Sequence, residues 1–133
     1  MATLHRFEDI EAWQKARVLT REIYAYSGCG DFSKDFGLCD QIRRAAVSIM
    51  ANIAEGFDRG GTKELSNFLS IAKGSVGEVE AQLYVALDQN YISHDQFKNL
   101  YAMTPSTKKL IAGFMIYLNQ TSIKGIKYKK TEV

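Results

Sequence analysis

Arg44, Ser48, Asn52, Glu55 and Glu78 are the residues whose types invite a chemical reading, because a serine beside a base is a nucleophile and two facing carboxylates act as acid and base. Neither chemistry finds its partners here. His5 and His94 lie outside the rows that hold the serine and the acids, so spacing supplies no Ser-His pair. Glu55 and Glu78 belong to opposite ends of an expected helical hairpin, too far apart for paired-carboxylate hydrolysis. The patterns GxxxxGK[ST], HExxH, GxGxxG and Glu-x-x-His are missing. Cys29 and Cys39 have no CxxC spacing and no neighbouring histidines, and read as free thiols. These residues predict a non-enzymatic protein without metal or cofactor.

The element that must position most of them is the run Gln41 to Gly56. Ile42, Ala45, Ile49 and Ile53 recur at spacings of three and four, the core-facing pattern of a helix. Gln41, Arg44, Ser48, Asn52 and Glu55 form a second row at the same period. Ser and Asn compete for backbone hydrogen bonds and are poor helix formers, so helix propensity does not account for that row.

Three further helices surround this one. The first is expected over Phe7 to Tyr26, with Ala12, Ala16, Leu19, Ile23 and Tyr26 on one face and a stop at Ser27-Gly28-Cys29-Gly30. The second helix starts at Lys34 or Asp35 and ends at Phe57, before Asp58-Arg59-Gly60-Gly61. The third begins near Thr62 as N-cap and carries Leu65, Phe68, Leu69, Ala72, Val76, Val79, Leu83 and Ala86/Leu87 as far as Asn90. Ser93 and Gln96 match a capping box for the fourth. There Phe97, Leu100, Thr104, Ile111, Phe114 and Leu118 keep one phase across Pro105, which predicts a kinked but unbroken helix. Short connections make sequential helices antiparallel, so the fold class is all-α, an up-down-up-down four-helix bundle over residues 1–120.

If the second and third helices pair about Gly60-Gly61, facing residue numbers add up to roughly 120. Arg44 then lies near Ser75 and Glu78, Ser48 near Ala72 or Gly74, Asn52 near Phe68 and Ser70, and Glu55 near Lys63 and Ser66. This predicts a partly buried polar network with Arg44 and Glu78 at its heart, flanked by Gln41, Ser75 and Gln82. Gly74 in mid-helix costs about 1 kcal/mol against Ala and calls for a close approach, by the second helix at Ser48 or by another subunit. The eight residues Gln41, Arg44, Ser48, Asn52, Glu55, Gly74, Ser75 and Glu78 are therefore read as a structural polar network or a subunit interface.

Charge bears on partners. The net charge of +2 divides into +3 over residues 121–133, a basic tail with Lys124, Lys127, Lys129 and Lys130, and −1 over the first 120. Phosphate contacts dominate nucleic-acid affinity, so any grip on RNA or DNA is expected from local groups: Arg17 with Arg21, Arg43 with Arg59 and Lys63, or the tail lysines. A protein-interaction scaffold is the competing reading, with Trp13, Tyr24 and Tyr84 as docking aromatics; the same three residues also suit a core or a subunit interface. No apolar run approaches the roughly 20 residues of a membrane span and Met1 to Arg6 open no signal-peptide core, so a cytoplasmic, non-membrane protein is expected.

Three motifs in order, Phe7-Glu8-Asp9-Ile10-x-Ala12-Trp13-Gln14-x-Ala16, Gln41 to Gly56, and Phe68-Leu69-x-Ile71-Ala72-x-Gly74-Ser75-x-x-Glu78, resemble the bacterial four-helix-bundle family of 23S ribosomal RNA intervening-sequence proteins over residues 6–120. The chain is also similar to the accessory protein of diversity-generating retroelements. That resemblance implies a homopentamer of four-helix bundles, a non-enzymatic accessory role, nucleic-acid binding, and a reverse transcriptase as partner protein.

Overall fold

A computed structural model of the chain describes residues 4–123. It contains four helices and, among the described residues, no strand: α1 over Glu11–Ser27, α2 over Phe36–Asp58, α3 over Thr62–Asp88 and α4 over His94–Ile123. Sequential helices pack side by side, and α1 closes against α4. Cross-helix contacts fix their directions. Thr20 meets Ala46 while Ser27 meets Arg43, Ser48 meets Ser75, and Glu80 meets Thr104 while Tyr84 meets Phe97, so numbers rise on one helix as they fall on the next. The architecture is the expected antiparallel four-helix bundle.

The apolar stripes form the core. Ala16, Leu19, Ile42, Ile49, Ile53, Leu65, Leu69, Leu83, Leu100 and Ile111 are fully buried, and each large aliphatic side chain among them contributes about 1.5–3 kcal/mol relative to exposure. Tyr26, Phe68 and Phe97 lie at the margin, half-buried.

Helix ends follow local chemistry. The first helix starts later than the sequence suggests: Phe7–Asp9 is a separate 3-10 turn, and Ile10 is extended and buried before α1 begins at Glu11. Asp9 stabilises that turn by accepting from the backbone N–H groups of His5 and Arg6, 3.2 Å each. Asp35 caps α2, its Oδ1 accepting from Leu38 N–H at 3.0 Å. Gly61, not Thr62, is the N-cap of α3, and Gly60 takes φ +89 in the turn, a region that favours glycine. α3 ends with Asn90 at φ 61; Tyr91 N–H reaches Ala86 O and Asn90 N–H reaches Leu87 O, the Schellman pattern.

Ser93 and Gln96 exchange both bonds of the expected capping box, at 2.9 and 3.1 Å. α4 then runs unbroken through Pro105. Proline has no N–H for the carbonyl of Tyr101, and the Thr104 hydroxyl donates to that carbonyl instead, at 2.9 Å.

The α2–α3 register differs from the simple hairpin count. Ser48 faces Ser75 rather than Ala72 or Gly74, and Gly56 rather than Asn52 faces Phe68, a stagger of up to about one helical turn. Gly56 is the physical reason. A Cβ placed on it would lie 2.6 Å from Phe68 Cβ and 3.1 Å from Leu65 Cδ1, so the last turn of α2 accepts α3 only because that Cβ is missing.

Candidate functional site: the α2–α3 face and the α1–α2 cleft

A polar network does join α2 to α3, but it is smaller than the sequence suggests and has other residues at its centre. Ser48 Oγ and Ser75 Oγ lie 2.9 Å apart, and Asn52 Nδ2 donates to Ser48 O at 2.8 Å and to Ser48 Oγ at 2.9 Å. Ser75 is buried, and its hydroxyl also reaches Ile71 O. These bonds explain Ser and Asn in mid-helix, since each side chain satisfies a neighbour in a half-buried seam.

Arg44 and Glu78 are not the heart of that network. Arg44 is exposed and bonds Asp40, one turn back on its own helix, with Nε 3.0 Å from each carboxylate oxygen. The one-turn partner on the same helix is reached without crossing between helices. Glu78 and Gln41 are exposed, and Glu55 pairs with Arg59 at 2.9 Å. Gly74 is exposed, with nothing within 4 Å of an added Cβ, so the predicted close approach at Ser48 is made at Gly56 instead. Gln82 Oε1 is buried, yet meets no hydrogen-bond donor.

The cationic candidates separate. Arg43 is half-buried between α1 and α2, its Nε donating to Ser27 Oγ at 2.8 Å and its guanidinium lying 4.7 Å from the Tyr24 ring centroid. It does not join Arg59 and Lys63, which flank the α2–α3 turn about 24 Å further along α2. Arg59, besides its pair with Glu55, lies over Phe68 at 5.3 Å. Arg17 and Arg21 are both exposed on α1, one turn apart, with Arg17 over Trp13 at 5.8 Å. Lys124, Lys127, Lys129 and Lys130 lie outside the described residues.

Around Arg43 opens a cleft of about 730 Å³ lined by Tyr24, Ser27, Phe36, Cys39, Arg43 and Val47 among others. Phe36 is 80% exposed, and Tyr24 and Val47 stand partly out of the surface beside it. Sequence reasoning missed Phe36 and Val47. Both fall off the apolar stripe of α2, so the helical period does not single them out.

It also missed a polar cluster in the α3–α4 seam. Glu80, whose side chain is 12% exposed, lies 2.8 Å from the buried Thr104 hydroxyl, sharing its one proton with the Tyr101 carbonyl, and pairs with Lys108. Burial, and then the charge of Glu80, push the neighbouring Tyr101 phenol up. A threonine inside an apolar stripe with a lysine one turn later was the available clue. At the other end of the bundle Tyr91 stacks on the buried Phe32 and donates to Asp35 Oδ2 at 2.9 Å; that bond, followed by burial, raises its pKa. Of the aromatics read as docking groups, Trp13 packs on Phe7 and Tyr84 on Phe97 and Tyr101.

Among the described residues no group of three or more His, Cys, Asp and Glu side chains could hold a metal ion, and no helix is long and apolar enough to cross a membrane. Cys29 is exposed, Cys39 buried, and both are free.

A crystal structure of a protein of unknown function from the S23 ribosomal protein family of Bacteroides thetaiotaomicron VPI-5482 is similar in fold. Its TM-score is 0.70 at 24% identity, over 78% of this chain and 97% of that one. No curated protein matches the chain. The family model described as 23S rRNA-intervening sequence protein matches residues 8–113, most of the bundle. The chain belongs to the 23S rRNA-intervening sequence protein family.

Proposed function

We propose that this protein is a non-enzymatic, self-assembling bundle that forms a homopentameric ring and serves as an accessory to a machinery handling RNA or DNA, with a reverse transcriptase as the partner protein that the family resemblance suggests. The observation that carries the assembly is the placement of the motif residues. Gln41, Arg44, Glu55, Gly74 and Glu78 lie exposed on the outer side of α2 and α3, and Gly74 has no neighbour among the described residues to explain a residue that costs about 1 kcal/mol in a helix. A second subunit supplies the missing neighbour. Nucleic-acid contact falls to Arg17 and Arg21, exposed on α1, and to the tail lysines.

A cytoplasmic protein-interaction scaffold is the second reading, favoured by the way cations are matched by carboxylates of the same chain, four pairs on the surface and one half-buried: Arg6 with Glu8, Lys34 with Asp31, Arg44 with Asp40, Arg59 with Glu55, Lys108 with Glu80. One experiment separates the two. Mass by light scattering is measured together with binding to structured RNA and duplex DNA across a salt series, for the full chain and for Arg17→Ala/Arg21→Ala. Binding that falls steeply with salt, with a slope lowered by about one per lost phosphate contact in the variant, supports the accessory role. An intact oligomer that binds neither nucleic acid at low salt supports the scaffold, and a monomer at all concentrations removes the assembly.

A further inference from the structure

We infer that the α1–α2 cleft of one copy receives the outer ridge of α3 from the next, with Glu78 of that copy seated on Arg43. This rests on the self-assembly proposed above and names the two surfaces that meet. The first surface is the cleft of about 730 Å³, where Phe36, Tyr24 and Val47 present apolar area around a guanidinium. Arg43 is held by its Nε bond to Ser27 and by the Tyr24 ring, which leaves the terminal amino groups to the cleft; among the described residues no carboxylate is in ion-pair range of it.

The second surface is a ridge with matching properties. Ile71, Gly74, Glu78, Ala81 and Val85 recur at spacings of three and four, all are exposed, and Ile71 and Val85 are large apolar groups facing water. That is the spacing of a helix-packing seam, displayed on the side of α3 that faces away from its own core. Small residues at 74 and 81 let another backbone approach. Glu78 sits between the two apolar groups with no ion-pair partner among the described residues.

Charge fits charge, apolar flank fits apolar wall, and the two surfaces are different parts of the molecule. An interface between unlike surfaces is heterologous, and repeating it closes into a ring when the rotation per subunit allows. An open row of subunits leaves one cleft and one ridge free at its ends, and closing the ring joins them.

The test is a charge exchange in the full chain, read by light scattering at fixed salt over a concentration series, with circular dichroism to verify folding. Glu78→Arg is the informative single variant, because Glu78 is exposed and has no ion-pair partner among the described residues; Arg43→Glu also breaks the bond to Ser27 and is read only beside it. Glu78→Arg should raise the dissociation constant of assembly at least about thirtyfold, and Arg43→Glu/Glu78→Arg should recover most of that loss. A folded Glu78→Arg that assembles like the wild type assigns the cleft to another occupant and overturns the inference while leaving self-assembly standing. A double variant that stays dissociated shows that Arg43 is not the partner of Glu78 and overturns it as well. A wild-type chain that is monomeric throughout overturns both the inference and the assembly on which it rests.

Discussion

Replacing Gly56 with alanine should destabilise the fold, although alanine is the better helix former by about 1 kcal/mol. The new Cβ would stand 2.6 Å from the Cβ of Phe68, which is fixed to the α3 backbone and cannot swing aside, and 3.1 and 3.2 Å from Leu65 Cδ1 and Phe68 Cγ. Relief requires moving α3 away from α2 along the seam that buries Ile53, Leu65 and Leu69. Overpacking a tight core costs about 1–3 kcal/mol, and a Cβ-to-Cβ clash belongs at the upper end, near 3. After the propensity gain the net loss is about 2 kcal/mol, or roughly 6 to 10 °C in Tm for a domain of this size. Gly113→Ala is the control. It is exposed in α4 with nothing within 4 Å of an added Cβ, and should gain about 1 kcal/mol. Urea unfolding of both variants at one protein concentration measures the two signs together. If Gly56→Ala gains stability as Gly113→Ala does, the close approach of α2 and α3 at Gly56 is refuted.

Thr104→Val should cost about 1–3 kcal/mol, because it strips a buried hydroxyl from both Glu80 and the Tyr101 carbonyl that Pro105 leaves without an N–H; chemical denaturation checks it. Tyr91→Phe should lower stability at neutral pH through the lost bond to Asp35. The folded-state pKa of Tyr91 is raised, so its contribution is complete below the unfolded value near 10 and disappears as pH rises through the folded one; the gap between wild type and variant should close there in unfolding experiments between pH 8 and 11.5. Ser48→Ala and Ser75→Ala should be non-additive by about 1 kcal/mol in a double-mutant cycle, since the two hydroxyls are bonded to each other; additive losses would contradict the seam.

Much of this architecture was legible because local chemistry and global packing agree. Ser93 and Gln96 announce the start of α4 in residue types that have few other uses at that spacing, and they bond as expected. The buried stripes of α2, α3 and α4 followed from period alone. What period does not carry is the choice among nearby partners. Arg44 had Glu78 across the seam and Asp40 one turn away, and takes the one on its own helix. Gly74 was the glycine expected to make a close approach, and Gly56 makes it instead, because the stagger of the two helices is not given by counting from the turn. The N-terminal start was misplaced because Phe7-Glu8-Asp9 is compatible with a helix, while Asp9 binds the backbone ahead of it and Ile10 leaves the helix to fill the core. Exposed Phe36 and Val47 needed surface geometry, since an apolar residue off the stripe counts in sequence only as noise.

The short connection between α2 and α3 has a consequence for how the chain folds. Gly56 and Phe68 come together across a turn of three residues, Arg59 to Gly61, whereas the seam of α1 with α4 brings Ile10 and Phe114 to the lining of one cleft across almost the whole sequence. Closing the short loop sacrifices little chain entropy, so the α2–α3 hairpin is the part that can organise in the transition state, and the α1–α4 seam forms behind it. Damage at the hairpin crossing then slows refolding, while damage at Ile10 or Phe114 leaves refolding nearly unchanged and speeds unfolding. Two lesions of equal thermodynamic size would give the protein different lifetimes.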